Sequence, residues 1–161
     1  MKKFKCSLDK TSKIIGGIVF VPILFLGCLS FANRENDTSY ITLFSSIPPI
    51  VILVVTFLYR PMNYTVTSSL IIINRPVSLF KINRIEIAKC SIVSKKEMSG
   101  TIRTFGNGGL FGYTGYYRNA KFGTMRWFAT QRKNYVLIEK INGKKIIITP
   151  DEPENFIAAL G

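Results

Sequence analysis

The run Phe105-Gly106-Asn107-Gly108-Gly109-Leu110-Phe111-Gly112-Tyr113, continuing through Gly115-Tyr116-Tyr117-Arg118-Asn119 to Arg126-Trp127-Phe128, concentrates glycine, aromatic and basic residues. Glycines at this density are the raw material of a phosphate cradle, because backbone without Cβ atoms can turn several N–H groups toward one anion. The spacing does not make one. From Gly106, a G-x-G-x-x-G pattern needs glycine where Phe111 stands, and no glycine is followed five places on by Gly-Lys. Three readings remain. As a glycine-rich β-connection, the favoured one, the segment fills a core with its rings. As a headgroup surface, it sets Tyr and Trp at a water–lipid boundary, with Arg103, Arg118, Lys121, Arg126, Arg132 and Lys133 toward anionic lipid. As a single-strand binder, it stacks bases and neutralises phosphates. For a lipid or partner surface the candidate residues are Tyr116, Tyr117, Arg118, Lys121, Arg126 and Trp127.

Other chemistries lack their residues. Without histidine the chain has no Ser-His-Asp or Cys-His nucleophile, no imidazole acid or base near neutral pH, and no ordinary zinc or haem ligand set. Cys6, Cys28 and Cys90 are widely scattered, so neither a disulfide framework nor a thiolate cluster is expected. After Arg60 the acids are Glu86, Glu97, Glu139, Asp151, Glu152 and Glu154, and two of these read as parts of a helix start. No paired-carboxylate site, cofactor, metal or catalytic residue is expected, and the chain reads as a non-enzyme.

The elements that must position these residues follow from charge and hydropathy. Twenty-two basic against 9 acidic residues give a net charge of +13, yet the mean hydropathy is +0.23. The two coexist only if apolar residues are gathered into blocks. A basic head, residues 1–13, precedes an uncharged block at 14–32; a second block occupies 41–59, with a short acidic loop at 33–40. At about 1.5 Å per residue each block nearly matches a ~30 Å hydrocarbon core. The expectation is a two-helix transmembrane hairpin in the cytoplasmic (inner) membrane, multi-pass, with both termini cytosolic by the positive-inside rule. A cleaved signal peptide is disfavoured by the close second block, and a lipoprotein signal ending at Cys28 by Phe25 and Leu26 before it.

From Arg60 onward the period shortens. Strands are expected at Tyr64 to Thr67, Leu70 to Asn74, Ile85 to Val93, Ile102 to Phe105, Thr124 to Thr130, Tyr135 to Ile141 and Lys144 to Ile148. Asn142-Gly143 is expected as a two-residue type I′ turn joining the last two. Asp151, with Glu154 three residues on, reads as the N-cap of a terminal helix whose apolar face is Phe156, Ile157 and Leu160.

The stretch Gly108-Gly109-Leu110-Phe111-Gly112-Tyr113, then Gly115-Tyr116-Tyr117-Arg118-Asn119, Trp127-Phe128-Ala129-Thr130, and the Asn142-Gly143 hairpin through Asp151 to Phe156 resembles the bacterial pleckstrin-homology (PH) domain family. The resemblance covers roughly Tyr64 to Leu160. It implies an α+β fold: after the helical hairpin, residues 60–161 form a PH-like cytosolic β-barrel or sandwich of about seven antiparallel strands, capped by a C-terminal helix. Phosphoinositide-binding relatives carry basic residues around their first hairpin; here Met62 to Asn74 contains no Lys or Arg, which argues against inositol-phosphate binding. The expected function is a membrane-anchored binding or scaffold module engaging a protein partner or anionic lipid headgroups, with no nucleic acid partner. An accessory subunit of a larger membrane complex is the alternative, and a carboxylate enzyme the remote one. Oligomeric state is not set by the sequence.

Overall fold

The computed structural model describes residues 1–32 and 39–161, leaving aside the helix side chains at 24, 26, 27, 29–32, 39–43, 45 and 46. The chain begins with β1 (Lys2–Lys5), α1 (Lys10–Ala32) and α2 (Ser39–Leu58). Nine further strands and a terminal helix follow among the described residues: β2 (Asn63–Val66), β3 (Leu70–Asn74), β4 (Leu79–Asn83), β5 (Ile87–Val93), β6 (Ile102–Gly108), β7 (Tyr113–Asn119), β8 (Gly123–Ala129), β9 (Tyr135–Lys140), β10 (Lys145–Ile148) and α3 (Pro153–Ala158).

The first sheet runs β1-β2-β3-β4, antiparallel throughout. Its period-2 pattern is plain in β3, where Ile71 and Ile73 are buried while Leu70 and Ile72 are not. The basic head is thus partly structural: Lys2–Lys5 pair with β2 so that Phe4 stands opposite Tyr64. The second sheet runs β5-β9-β10-β8-β7-β6. Its β8 and β10 are parallel, with Lys145 opposite Met125, whereas the resemblance implied antiparallel sheets. A parallel pair needs a crossover; the chain makes it through residues 130–144, which include β9, and its start is held where Thr130 N–H donates to Thr149 Oγ1 at 2.9 Å.

A core lies on each face of the second sheet. One, against the first sheet, holds Tyr64, Ile71, Ile73, Phe128, Ile138 and Ile148. Phe156 of α3 plugs it, edge-on to Phe4 at 5.2 Å and Tyr64 at 6.3 Å; burying that ring contributes on the order of 2–3 kcal/mol. The other holds Tyr113, Tyr117, Met125, Trp127 and Leu137, closed by Met98 from the β5–β6 connection.

Several expectations change. Asn142-Gly143 lies in a three-residue loop, because Lys140 N–H donates to Lys144 O and only Gly143 has positive φ, +77°. Asp151 does not cap α3; Glu152 holds that position without a side-chain bond. Instead the Asp151 carboxylate accepts from Ser7 N–H at 2.9 Å, Ser7 Oγ–H at 2.7 Å and Gln131 Nε2 at 3.2 Å, tying the N-terminal segment down.

Among the described residues no helix is long and apolar enough to cross a membrane. The first turns of α1 are also committed to the β-domain: Asp9 caps the helix by accepting from Ser12 N–H at 2.7 Å, and Ser12 and Gly16 are buried. The expected two-helix transmembrane hairpin with spans 14–32 and 41–59, the integral membrane partnership, and the multi-pass placement in the inner membrane are therefore corrected. The outer loop expected at 33–40 falls largely outside the described residues.

Candidate functional site

Strand alternation divides the sequence-nominated residues between two faces. Tyr117 and Trp127 point into the second core, stacked at 4.4 Å and 20°, with burial pushing the Tyr117 hydroxyl up to about 12. Tyr116 and Arg126 are directly opposed across β7 and β8 on the other face, where Arg118 also stands exposed. Lys121, in the β7–β8 turn, is bound to Glu97 at 2.5 Å. That ammonium, with the Ser94 N–H and hydroxyl, holds the Glu97 carboxyl down to about 2.

The structure therefore brings together Tyr116 and Arg126 and adds residues that the sequence reading passed over. The Arg126 guanidinium lies 4.7 Å from the Phe80 ring, 5.0 Å from Phe128 and 5.8 Å from Tyr116. Arg75, in the β3–β4 turn, lies over the same Phe128 at 5.6 Å and over Tyr59 at 5.3 Å. Two cations thus share one aromatic platform. Among the described residues neither takes part in a salt bridge, and the buried Arg75 Nε has no hydrogen-bond partner; nor has Ser78 Oγ, in the same turn. Burial, then the neighbouring Arg126 charge, lower the Arg75 pKa. An anion placed between the guanidiniums would satisfy their free N–H groups and relieve the repulsion, since the planar fork suits carboxylate or phosphate oxygens.

Arg75 directly follows the stretch without Lys or Arg. Its approach to Arg126 depends on two hairpins and the packing of two sheets, and no local spacing reports that.

The glycine-rich segment is the β6–β7 hairpin. Gly106 and Gly115 face each other across the ladder with φ of +113° and +126°, and a Cβ on either would run into the opposite backbone. These glycines let two strands approach closely, and their geometry is not that of a cradle.

Two packed sheets closed by a C-terminal helix define a PH-like domain, a fold that suggests a binding or scaffold module. The family model for the bacterial PH domain matches residues 62–161, and the chain belongs to that family. No curated protein and no solved structure was found to match the chain.

Proposed function

We propose that the chain is a non-enzymatic binding module that engages anionic lipid headgroups through Arg75 and Arg126, with Tyr116 and Arg118 on the flanking surface. The observation that carries this reading is the pair of guanidiniums stacked on Phe128 without a carboxylate partner among the described residues. The acids support it from the other side, because they serve the fold: Asp9 caps α1, Glu86 pairs with Lys140, Glu97 with Lys121, and Asp151 ties Ser7. Flotation of the full chain with phosphatidylcholine vesicles, with and without phosphatidylglycerol, tests the reading. Each basic residue near an anionic surface contributes about 1 kcal/mol, so Arg75→Gln with Arg126→Gln should weaken binding to the anionic vesicles roughly thirtyfold. Equal binding to both vesicle types, insensitive to salt, overturns it.

A protein partner is the second reading, supported by β6, the edge of its sheet, where Ile102 is 65% and Phe105 75% exposed. An extended segment could add to that edge. A photocrosslinker at position 105 that captures one protein, lost on an Ile102→Lys background, would favour it.

A further inference from the structure

A cleft of about 1100 Å³ opens between α1 and α2 beneath the β6–β7 turn. Its walls include Gly17, Phe20 and Ile23 of α1 and Leu53, Val54 and Phe57 of α2. The volume lies just above the ~300–1,000 Å³ typical of ligand sites. Phe111 forms the roof from a left-handed backbone conformation, φ +59°, which is costly for an aromatic residue and marks a position fixed by its surroundings. Its ring meets Phe57 edge-on at 5.5 Å.

One end of the cleft is polar. The start of α1 and the end of α2 meet there, bringing Lys13 and Arg60 to the lining, while among the described residues no acidic side chain lines the cleft. The Arg60 guanidinium carbon lies over the Phe57 ring, 4.2 Å from its centre, and a planar guanidinium presents several N–H donors to an anionic group. A wholly apolar occupant would leave two cations unmatched, and a small polar one would leave the apolar walls unfilled.

We propose that the cleft binds one fatty-acyl chain carrying an anionic head, the chain lying between α1 and α2 and the head held by Lys13 and Arg60. This site is separate from the Arg75–Arg126 cluster. Gly17 offers a means of blocking it, since a Cβ there would meet nothing within 4 Å. Cys28 lines the cleft and is exposed, whereas burial raises the Cys6 and Cys90 thiols to about 12 and about 11, so maleimide selects Cys28.

The test uses the full chain, stripped of co-purifying amphiphiles, with cis-parinaric acid as fluorescent probe and oleate or uncharged oleamide as competitors. Saturable binding is expected, with oleate displacing the probe at least about tenfold more effectively than oleamide. Gly17→Phe should abolish probe binding yet keep the wild-type affinity for anionic vesicles, which distinguishes this site from the headgroup cluster. Lys13→Gln with Arg60→Gln leaves the walls intact and should bring oleate down to the level of oleamide, so the proposal stays testable if Gly17→Phe does not fold. Oleate should also slow maleimide labelling of Cys28. Equal displacement by the two competitors, wild-type affinity in a folded Gly17→Phe, or unchanged Cys28 labelling would each overturn the proposal.

Discussion

Replacing Gly115 with alanine isolates the physical role of the glycine-rich hairpin. At φ +126° a side chain is strained, and the new Cβ would collide with the Phe105 carbonyl oxygen and lie 2.8 Å from Gly106 Cα. Backbone strain of this kind costs on the order of 1–3 kcal/mol. Forcing a methyl into a closed ladder adds a further ~1–3 kcal/mol, so the variant should lose about 4 kcal/mol of the ~5–15 kcal/mol that stabilises a domain. Gly100→Ala is the matched control, because φ is +71° with nothing within 4 Å of a Cβ; strain alone should cost it ~1–2 kcal/mol. Gly17→Ala, helical and unobstructed, should gain up to ~1 kcal/mol. Urea unfolding followed through Trp127, the single tryptophan, which stacks on Tyr117, reads all three. If Gly115→Ala is no less stable than Gly100→Ala, the close approach of β6 and β7 is not what the glycines serve.

Tyr64→Phe should cost about 1–3 kcal/mol in the same assay with an unchanged far-ultraviolet spectrum, because the buried hydroxyl donates to Phe128 O at 2.6 Å and accepts from Thr149 N–H at 3.2 Å. Wild-type stability in Tyr64→Phe would show those groups re-pair without it. The Glu97 carboxyl should titrate near 2 by carbon-detected NMR. Its depressed folded value means that its contribution is present above the ordinary carboxylate range near ~4.3 and fades as pH falls through about 2. Lys121→Met should move the titration upward, though not fully, since Ser94 still donates twice; an unchanged midpoint would remove Lys121 as the cause.

Local pattern made much of the β-domain legible. The β-branched run of β3 is bounded to the residue, and Phe156 and Ile157 of the terminal helix pack on the core as the pattern implies, with Leu160 joining them from just past the helix end. The strands missed have physical excuses. Lys2–Lys5 read as a charged head, because an edge strand exposes its lysines and only Phe4 turns inward; β4 alternates weakly, and β7 hides among glycines. Of the candidate site, Tyr116 and Arg126 could be read from the density of rings and cations. Tyr117 and Trp127 carry the same residue types, and only register shows that they face the other way. The apolar blocks were visible as blocks, but composition alone does not report that α1 begins by packing on the domain.

That packing bears on how much of the chain makes a working unit. The family match starts at residue 62, which marks 62–161 as the fragment to isolate. It would lack β1, leaving β2 as an unpaired edge, and it would lack Phe4, which is 9% exposed and packs edge-on against Phe156. Losing a buried phenylalanine costs ~3–5 kcal/mol, and the Ser7 bonds to Asp151 go with it. Tyr59, one of the two rings under Arg75, is also lost. The fragment should therefore associate through β2, unfold at markedly lower urea and bind anionic vesicles more weakly than the full chain. Size-exclusion chromatography and a proton–nitrogen correlation spectrum decide the matter: a dispersed, monomeric spectrum with the full chain's urea midpoint would show that β1 decorates a sheet already complete. If the fragment instead aggregates, and residues 1–9 added as a peptide restore the dispersed spectrum, the N-terminal strand is an integral part of the sandwich, and the headgroup cluster depends on sequence from both sides of residue 62.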